Sequence, residues 1–232
     1  MEKITFEKFK EIIEKRSNNK ISLSNKIFEN MDLTNYDLSN INFSNSNFIN
    51  INFSNVNFEN SDLENTLLDE CNFINANLQN TNLKGASLRR SNLRGANIRG
   101  ANLYAAILEN ALLDNIVSDE KTLHFSLHCP KSGAFIGYKK CVNDLIVKLL
   151  IPSDALRVSS TLRCCRCSRA KVLEISNFNR SEFYNEAWSL VDNDFCYKLG
   201  KWVEVENFNK DRWFDSTTGI HFWMTRDEAK KY

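Results

Sequence analysis

The sequence predicts a β-solenoid led by a short helix and followed by a separate α+β domain. Three observations point there. Every fifth residue from Leu23 to Leu113, 19 positions in all, is Leu, Phe or Ile. The residue two places after each of them is Asn in 13 of those units and Gly at 85, 95 and 100. The beat then stops: Ser118 stands where the next large residue is due, and all four tryptophans (188, 202, 213 and 223) lie beyond it.

Residues 1–17 read as an N-terminal capping helix. Phe6, Phe9, Ile12 and Ile13 fall on one face of an amphipathic helix over residues 2–16. A single short repeat cannot bury its own apolar face, so the end of a repeat array needs a cover, and this helix is the expected one.

Residues 18–117 carry the repeat. A period of five fits neither a helix nor a flat strand. Two places before many of the large residues stands a small or apolar one: Ile41, Ile51, Val56, Cys71, Ala76, Ala86, Ala96, Ala101 and Ala106. Residues two apart share a face of an extended segment. Each unit is therefore a short extended stroke with two inward side chains, followed by a turn that resets the facing. Asn and Gly are the residues that best tolerate the left-handed backbone such a turn requires. Coils wound this way stack at about 4.8 Å.

The units "ANLQN", "SNLRG", "ANIRG" and "ANLYA" resemble the pentapeptide-repeat family, whose pattern is A(N/D)LXX, over about residues 21–115. The resemblance implies a right-handed quadrilateral β-helix with four five-residue units per coil, here between four and five coils. Lys26, Met31 and Tyr36 stand where Ala is usual, which predicts distorted first coils. Some members of that family are DNA mimics that bind topoisomerases, which requires a strongly acidic surface. Residues 18–117 hold ten acids and seven bases, a weak excess. Side chains 20 apart should stack, placing Glu64 on Lys84, Asp69 on Arg89, Arg89 on Glu109, Glu70 on Arg90 and Arg94 on Asp114. Opposite charges so placed support a sheet by roughly 0.2–1 kcal/mol each. That favours a self-neutralising face over either an acidic decoy or a nucleic-acid stripe built from Lys84, Arg89, Arg90, Arg94 and Arg99. Arg90 and Arg99 are the least obviously paired of these.

Residues 118–232 hold 18 bases and 15 acids and are long enough to bury their own core. Strands are expected at 134–141, 144–151, 170–176, 201–207 and 219–224, from period-two alternation or a short apolar run. Thr225 followed three places later by Glu228 is a capping box and opens a short terminal helix. The result is an α+β domain, mostly antiparallel. "FIGYKKC", "IVKLLIP", "AKVLEI" and "STTGIHFWMTRDEA" resemble an uncharacterised domain appended to pentapeptide repeats in phage, viral and bacterial proteins. The resemblance implies an architecture and no activity. That domain often reads Cys-Ser-Thr-Gly-Ile-His, whereas this chain has Ser216 at the cysteine position.

The net charge is +1, no apolar run has membrane-spanning length, and the N-terminus lacks a secretory apolar core. A cytoplasmic protein is expected, in the host cytoplasm if the source is viral. Neither nucleic acid nor a membrane is the expected partner. The seven cysteines are an odd number and read as reduced thiols rather than a disulfide frame. In "LRCCRCSR" (162–169), Cys164 and Cys167 form one CxxC. Cys129, Cys141, Cys165 and Cys167, with His128, could supply a zinc site. A lone CxxC is a weak signal, so buried structural thiols are the preferred reading, ahead of zinc and then of a redox role. Arg163, Arg166 and Arg169 would favour a thiolate near them.

A second constellation suits a phosphate or nucleotide: Lys139, Lys140, Arg157, Arg163, Arg166 and Arg212, with Thr218 and His221 in and beside "STTG". His221 is the one candidate general acid or base. Spacing identifies no partner for it, so a packed or structurally bonded histidine is preferred. Walker, Rossmann, zincin and nucleophile-elbow motifs are absent from the sequence. The leading expectation is a non-enzymatic binding or scaffold protein, with the solenoid as a rigid docking face and the C-terminal domain as the module that recognises a protein partner. The alternative is a C-terminal domain that binds or acts on a phosphorylated small molecule. A DNA-mimic topoisomerase inhibitor is the weaker third. A homodimer through a flat face or exposed tryptophans is compatible with the sequence.

Overall fold

The computed structural model describes residues 1–16 and 21–232. The expected boundary at 17/18 lies outside the described residues. The chain divides into two compact units, Met1–Ser126 and Leu127–Tyr232.

The first unit is a β-solenoid. Parallel bridges join residues 20 apart, from Ser22–Asn42 to Asn97–Val117. Every fifth residue from Asn25 to Asn115 has φ between +53° and +69°. The turn reading therefore holds at all 19 positions, including Glu70, Arg90 and Ala105, which are neither Asn nor Gly. The large residues from Leu23 to Leu108 are all buried. Phenyl rings one coil apart stack, Phe28 on Phe48 at 4.7 Å and Phe53 on Phe73 at 4.9 Å. Hydroxyls in the small-residue slot are also buried and bonded. Ser61 Oγ donates to the Leu38 carbonyl at 2.7 Å and Thr81 Oγ1 to the Phe58 carbonyl at 3.0 Å.

The Asn or Asp just before most of the large residues has its own role. Its carboxamide or carboxylate oxygen accepts the backbone N–H two residues on, as Asn52 does from Ser54 at 3.1 Å and Asn77 from Gln79 at 3.2 Å. This local bond starts the turn. The amide nitrogens then donate to the coil before: Asn72 Nδ2 to Asn52 Oδ1 at 3.1 Å and Asn77 Nδ2 to Asn57 Oδ1 at 2.8 Å.

The first coils are regular, contrary to expectation, because the N-terminus accommodates the unusual residues. Strand β1 (Glu2–Lys3) pairs in parallel with β2 (Lys26–Glu29), which pairs with β3 (Asn47–Ile49). Glu2 accepts from Lys26 Nζ and Lys8 Nζ, each at 2.7 Å. Helix α1 (Phe6–Glu14) is N-capped by Thr5. It buries Phe9 against Phe28 at 5.7 Å and Tyr36 at 6.2 Å between ring centroids. Phe6 stays 38% exposed, so the helical apolar face is narrower than the sequence suggested.

The solenoid also runs past residue 117. Asn102 bridges Leu123, a spacing of 21 instead of 20. One extra residue enters between Val117 and Lys121. Thr122 then resumes the small-residue slot, donating its hydroxyl to the Ile98 carbonyl at 3.2 Å. The rhythm is stretched once rather than ended at Leu113.

Four of the five stacked ion pairs form: Lys84–Glu64 at 2.9 Å, Arg90–Glu70 at 2.7 Å, Arg94–Asp114 at 2.8 Å and Arg89–Glu109 at 3.4 Å. Asp69 differs. Its carboxylate accepts the Arg89 backbone N–H at 2.9 Å and the Ser87 hydroxyl at 2.5 Å, and leaves the guanidinium to Glu109. Arg99 forms no ion pair among the described residues.

The second unit is built on an antiparallel sheet in the order β11-β8-β5-β4. Its strands are β4 (Phe135–Lys140), β5 (Ile146–Ile151), β8 (Arg169–Ser176) and β11 (Trp202–Glu204). A smaller sheet holds β6 (Arg157–Ser159), β7 (Cys165–Cys167) and β12 (Ile220–Phe222), with β7 central. A two-stranded ribbon pairs β9 (Glu186–Trp188) with β10 (Cys196–Lys198). Helix α2 (Arg226–Lys230) carries the complete capping box of Thr225 and Glu228. Among the described residues no helix is long and apolar enough to cross a membrane.

Candidate functional site

The small sheet sorts its side chains by strand alternation. Cys165 and Cys167 on β7 and Ile220 and Phe222 on β12 are buried in the core. Arg166 pairs with His221 across the two strands on the other face. Cys164, two residues from Arg166 in an extended segment, shares that face.

There Cys164 Sγ lies 3.4 Å from His221 Nδ1. His221 Nε2 lies 3.1 Å from the Thr217 carbonyl oxygen, so Nε2–H donates to it and Nδ1 keeps its lone pair toward the thiol. Burial lowers the His221 pKa, opposed by the Thr217 bond and reinforced by Lys139 and Arg166, while Asp215 pulls the other way. Burial pushes the Cys164 thiol up to about 12, helped by Asp215 and opposed by Lys139, Arg166 and the Phe222 amide. At neutral pH the pair is therefore thiol and neutral imidazole. Spacing gave no partner for His221; the signal was the register of two short strands, which the sequence does not display.

Lys139 is 5% exposed and its amino group has no hydrogen bond or ion pair among the described residues. Burial lowers its pKa, against nearby Cys141, Cys164 and Cys167. Strand β4 reaches this region through the Tyr138–Trp223 bridge, with N–H to carbonyl distances of 2.8 and 2.7 Å in the two directions.

The other expected phosphate ligands are committed to other partners. Arg166, 3% exposed, gives its guanidinium to four carbonyls: Asn209 and Thr218 at 3.1 Å, Asp211 at 3.0 Å and Phe214 at 2.8 Å. Arg157 binds the carbonyls of Gly133, Pro152, Ser153 and Ala155. Arg212 binds those of Ser159 and Ser160. Lys140 alternates away from Lys139 and pairs with Asp144 at 3.3 Å. Arg163 reaches Glu228 at 3.5 Å, and Thr218 is exposed, its carbonyl held by Arg166.

The expected zinc ligands share one core but do not converge on a metal. The thiols of Cys129 and Cys165 are neighbours, and their interaction lowers the pKa of Cys129 and raises that of Cys165. Burial raises Cys141 and Cys167, each to about 12. Cys167 Sγ points to the Ile220 carbonyl at 3.8 Å. The His128 ring lies 3.7 Å from Glu228. Among the described residues no three His, Cys, Asp or Glu side chains are grouped to hold a metal ion.

Comparison with known proteins divides the chain in the same way. A pentapeptide repeat region family matches residues 21–98, and a family of unknown function (DUF5758) matches residues 125–229. None of the curated proteins matches this chain. A pentapeptide repeat protein of the Arabidopsis thaliana thylakoid lumen is 22% identical over 41% of this chain and 60% of its own, with a TM-score of 0.27. The pentapeptide repeat protein Rfr23 of the cyanobacterium Cyanothece 51142 is 36% identical over 44% and 62%, with a TM-score of 0.19. QnrB1, a plasmid-mediated fluoroquinolone resistance protein, is 18% identical over 51% and 88%, with a TM-score of 0.17. The chain thus spans about three fifths of the length of the first two.

Proposed function

We propose that this chain, a pentapeptide-repeat protein whose C-terminal domain belongs to a family of unknown function, is a binding protein. Its solenoid, right-handed and four-sided as in that family and covered at its first coil by α1, is a rigid docking face. The C-terminal domain recognises a protein partner. The observation that supports this is the exposure of Trp188 (44%) and Trp202 (48%) on short antiparallel strands, beside chain positions Phe183, Leu190, Val191 and Leu199 that are also exposed. Exposed tryptophans are common anchors of protein interfaces. The guanidiniums of Arg157, Arg166 and Arg212, already spent on main-chain carbonyls, speak against a phosphate ligand. The test is affinity capture by the intact protein and by a Trp188→Ser/Trp202→Ser variant. A protein bound by the first, lost with the second, and rebound when both components are purified supports the reading. Equal binding by both, or a thermal shift with nucleotides that Arg163→Ala abolishes, overturns it.

Acidic mimicry of DNA is disfavoured by the same ion pairs that neutralise the coils. A DNA-supercoiling assay with micromolar protein should show no inhibition.

A further inference from the structure

We propose that Cys164 and His221 form a thiol–imidazole pair that accepts acyl groups from activated esters or thioesters. This activity does not depend on the partner recognition proposed above. Three features converge on it. The S···N distance of 3.4 Å and the bond from Nε2 to Thr217 fix the nucleophile, its base and the base's tautomer. Both residues are half-buried rather than sealed in the core, so a substrate can approach. Lys139, 5% exposed, lies within electrostatic range of both. A cation there suits the negative oxygen that develops when a carbonyl is attacked. Charged neighbours facing the pair are Lys139 from β4, Arg166 from β7 and Asp215 from the preceding loop, the last held by the Ser160 hydroxyl at 2.8 Å.

The geometry favours acyl over redox or phosphoryl chemistry. The adjacent thiol, Cys165, points to the opposite face, its Sγ toward the Arg163 carbonyl at 3.9 Å, so it is not placed to resolve an oxidised Cys164. Phosphoryl recognition would draw on guanidiniums that are already committed. In the acyl step the Cys164 S–H proton passes to His221 Nδ1, sulfur attacks the carbonyl carbon, and the leaving group departs with that proton. A thioester on Cys164 remains. Water then adds, again with His221 taking the proton, and releases a carboxylic acid and the free thiol.

The probe is p-nitrophenyl acetate with the intact protein. Peptide mass mapping should place one acetyl group on Cys164 ahead of Cys196, the other half-exposed cysteine. Cys164→Ser should abolish that label, and His221→Gln should slow it by about 100-fold or more. Lys139→Met should lower the rate without moving the label. The rate should rise through the titration of His221 and then level. An unassisted thiol would instead climb about tenfold per pH unit toward its own pKa. Mapping on the parent protein needs no variant to fold. Label shared equally with Cys196, a rate unchanged in His221→Gln, or a profile that follows thiol ionisation would each overturn the proposal.

Discussion

Gly85 should resist replacement, and the reason is readable from the column 45–65–85–105. At Gly85 φ is +67°. A Cβ added there would lie 2.3 Å from Oδ1 of Asn65, one coil below. Asn65 in turn donates to Asn45 Oδ1 at 3.4 Å. In Gly85→Ala, the left-handed backbone costs about 1–2 kcal/mol. The stiffer unfolded chain returns about 0.4–1 kcal/mol. Asn65 must also swing aside and give up a long, exposed hydrogen bond, worth roughly 0.5 kcal/mol. The net loss is about 1–2 kcal/mol, a fall in Tm of roughly 3–8 °C. Two companions separate backbone strain from collision. Ala105→Gly, at φ +58° in the same column, should stabilise by about 0.5–1 kcal/mol. Gly85→Asn tolerates the backbone but keeps the Cβ, so a near-neutral effect assigns the cost to strain, and a loss matching alanine assigns it to Asn65. Calorimetry on the intact chain is the assay. An unchanged melt for Gly85→Ala, or a lower one for Ala105→Gly, would refute the turn argument.

Arg166→Met removes the donor from four carbonyls that hold residues 209–218 and should destabilise the C-terminal unit by about 3–5 kcal/mol, with amide exchange rising first in that loop; an unchanged urea midpoint contradicts the role. Hydrogen bonds from Lys26 and Lys8 hold the Glu2 carboxyl at about 2, below its usual 4.5. A depressed carboxyl stabilises the fold above its unfolded pKa, and that contribution fades as pH falls through the folded value. Lys26→Met should return the Glu2 titration toward 4.5 by NMR, and a midpoint still near 2 would show that Lys26 is not its cause.

The solenoid is legible because one short rule recurs. A large residue, a small residue two places before and a left-handed turn two places after are all local properties. Stacking at 20 then follows from four such units per coil, which is why Lys84–Glu64 and Arg94–Asp114 could be anticipated. Asp69 could not, because a carboxylate can choose between a guanidinium and a main-chain N–H, and only the local backbone decides. The C-terminal unit shows its long strands, since β5 is a nearly continuous apolar run and β8 alternates. It hides β6, β7, β9 and β10, each three residues long; β11 and β12 are as short but lie inside the longer readable stretches 201–207 and 219–224. Cys164, just ahead of β7, and His221, on β12, lie 57 residues apart in sequence, and only the register of those two strands brings them together.

The same limit explains the apparent end of the repeat, and it makes the stretch after Val117 testable. Along the preceding coils the turn N–H donates to a main-chain carbonyl, as Gly85 does to Tyr104 and Gly95 to Asp114, both at 2.9 Å. At Gly100 the extra residue displaces that carbonyl, and the N–H donates to the Asp119 carboxylate at 3.0 Å. The same carboxylate accepts from Thr122 Oγ1 at 2.9 Å and from the Lys121 N–H at 3.2 Å. Desolvation works against the Asp119 charge, but the bonds from Gly100, Thr122 and Lys121 outweigh it and lower its pKa. Its contribution is thus complete above the ordinary aspartate range and is lost as pH falls through the lowered value. Asp119→Ala should expose the Gly100 amide to exchange while leaving the Gly85 and Gly95 amides protected by their carbonyls. Exchange that rises equally at all three glycines would mean the last coil unravels as a whole; exchange unchanged at Gly100 would mean the carboxylate is not what carries the chain across its one irregular step.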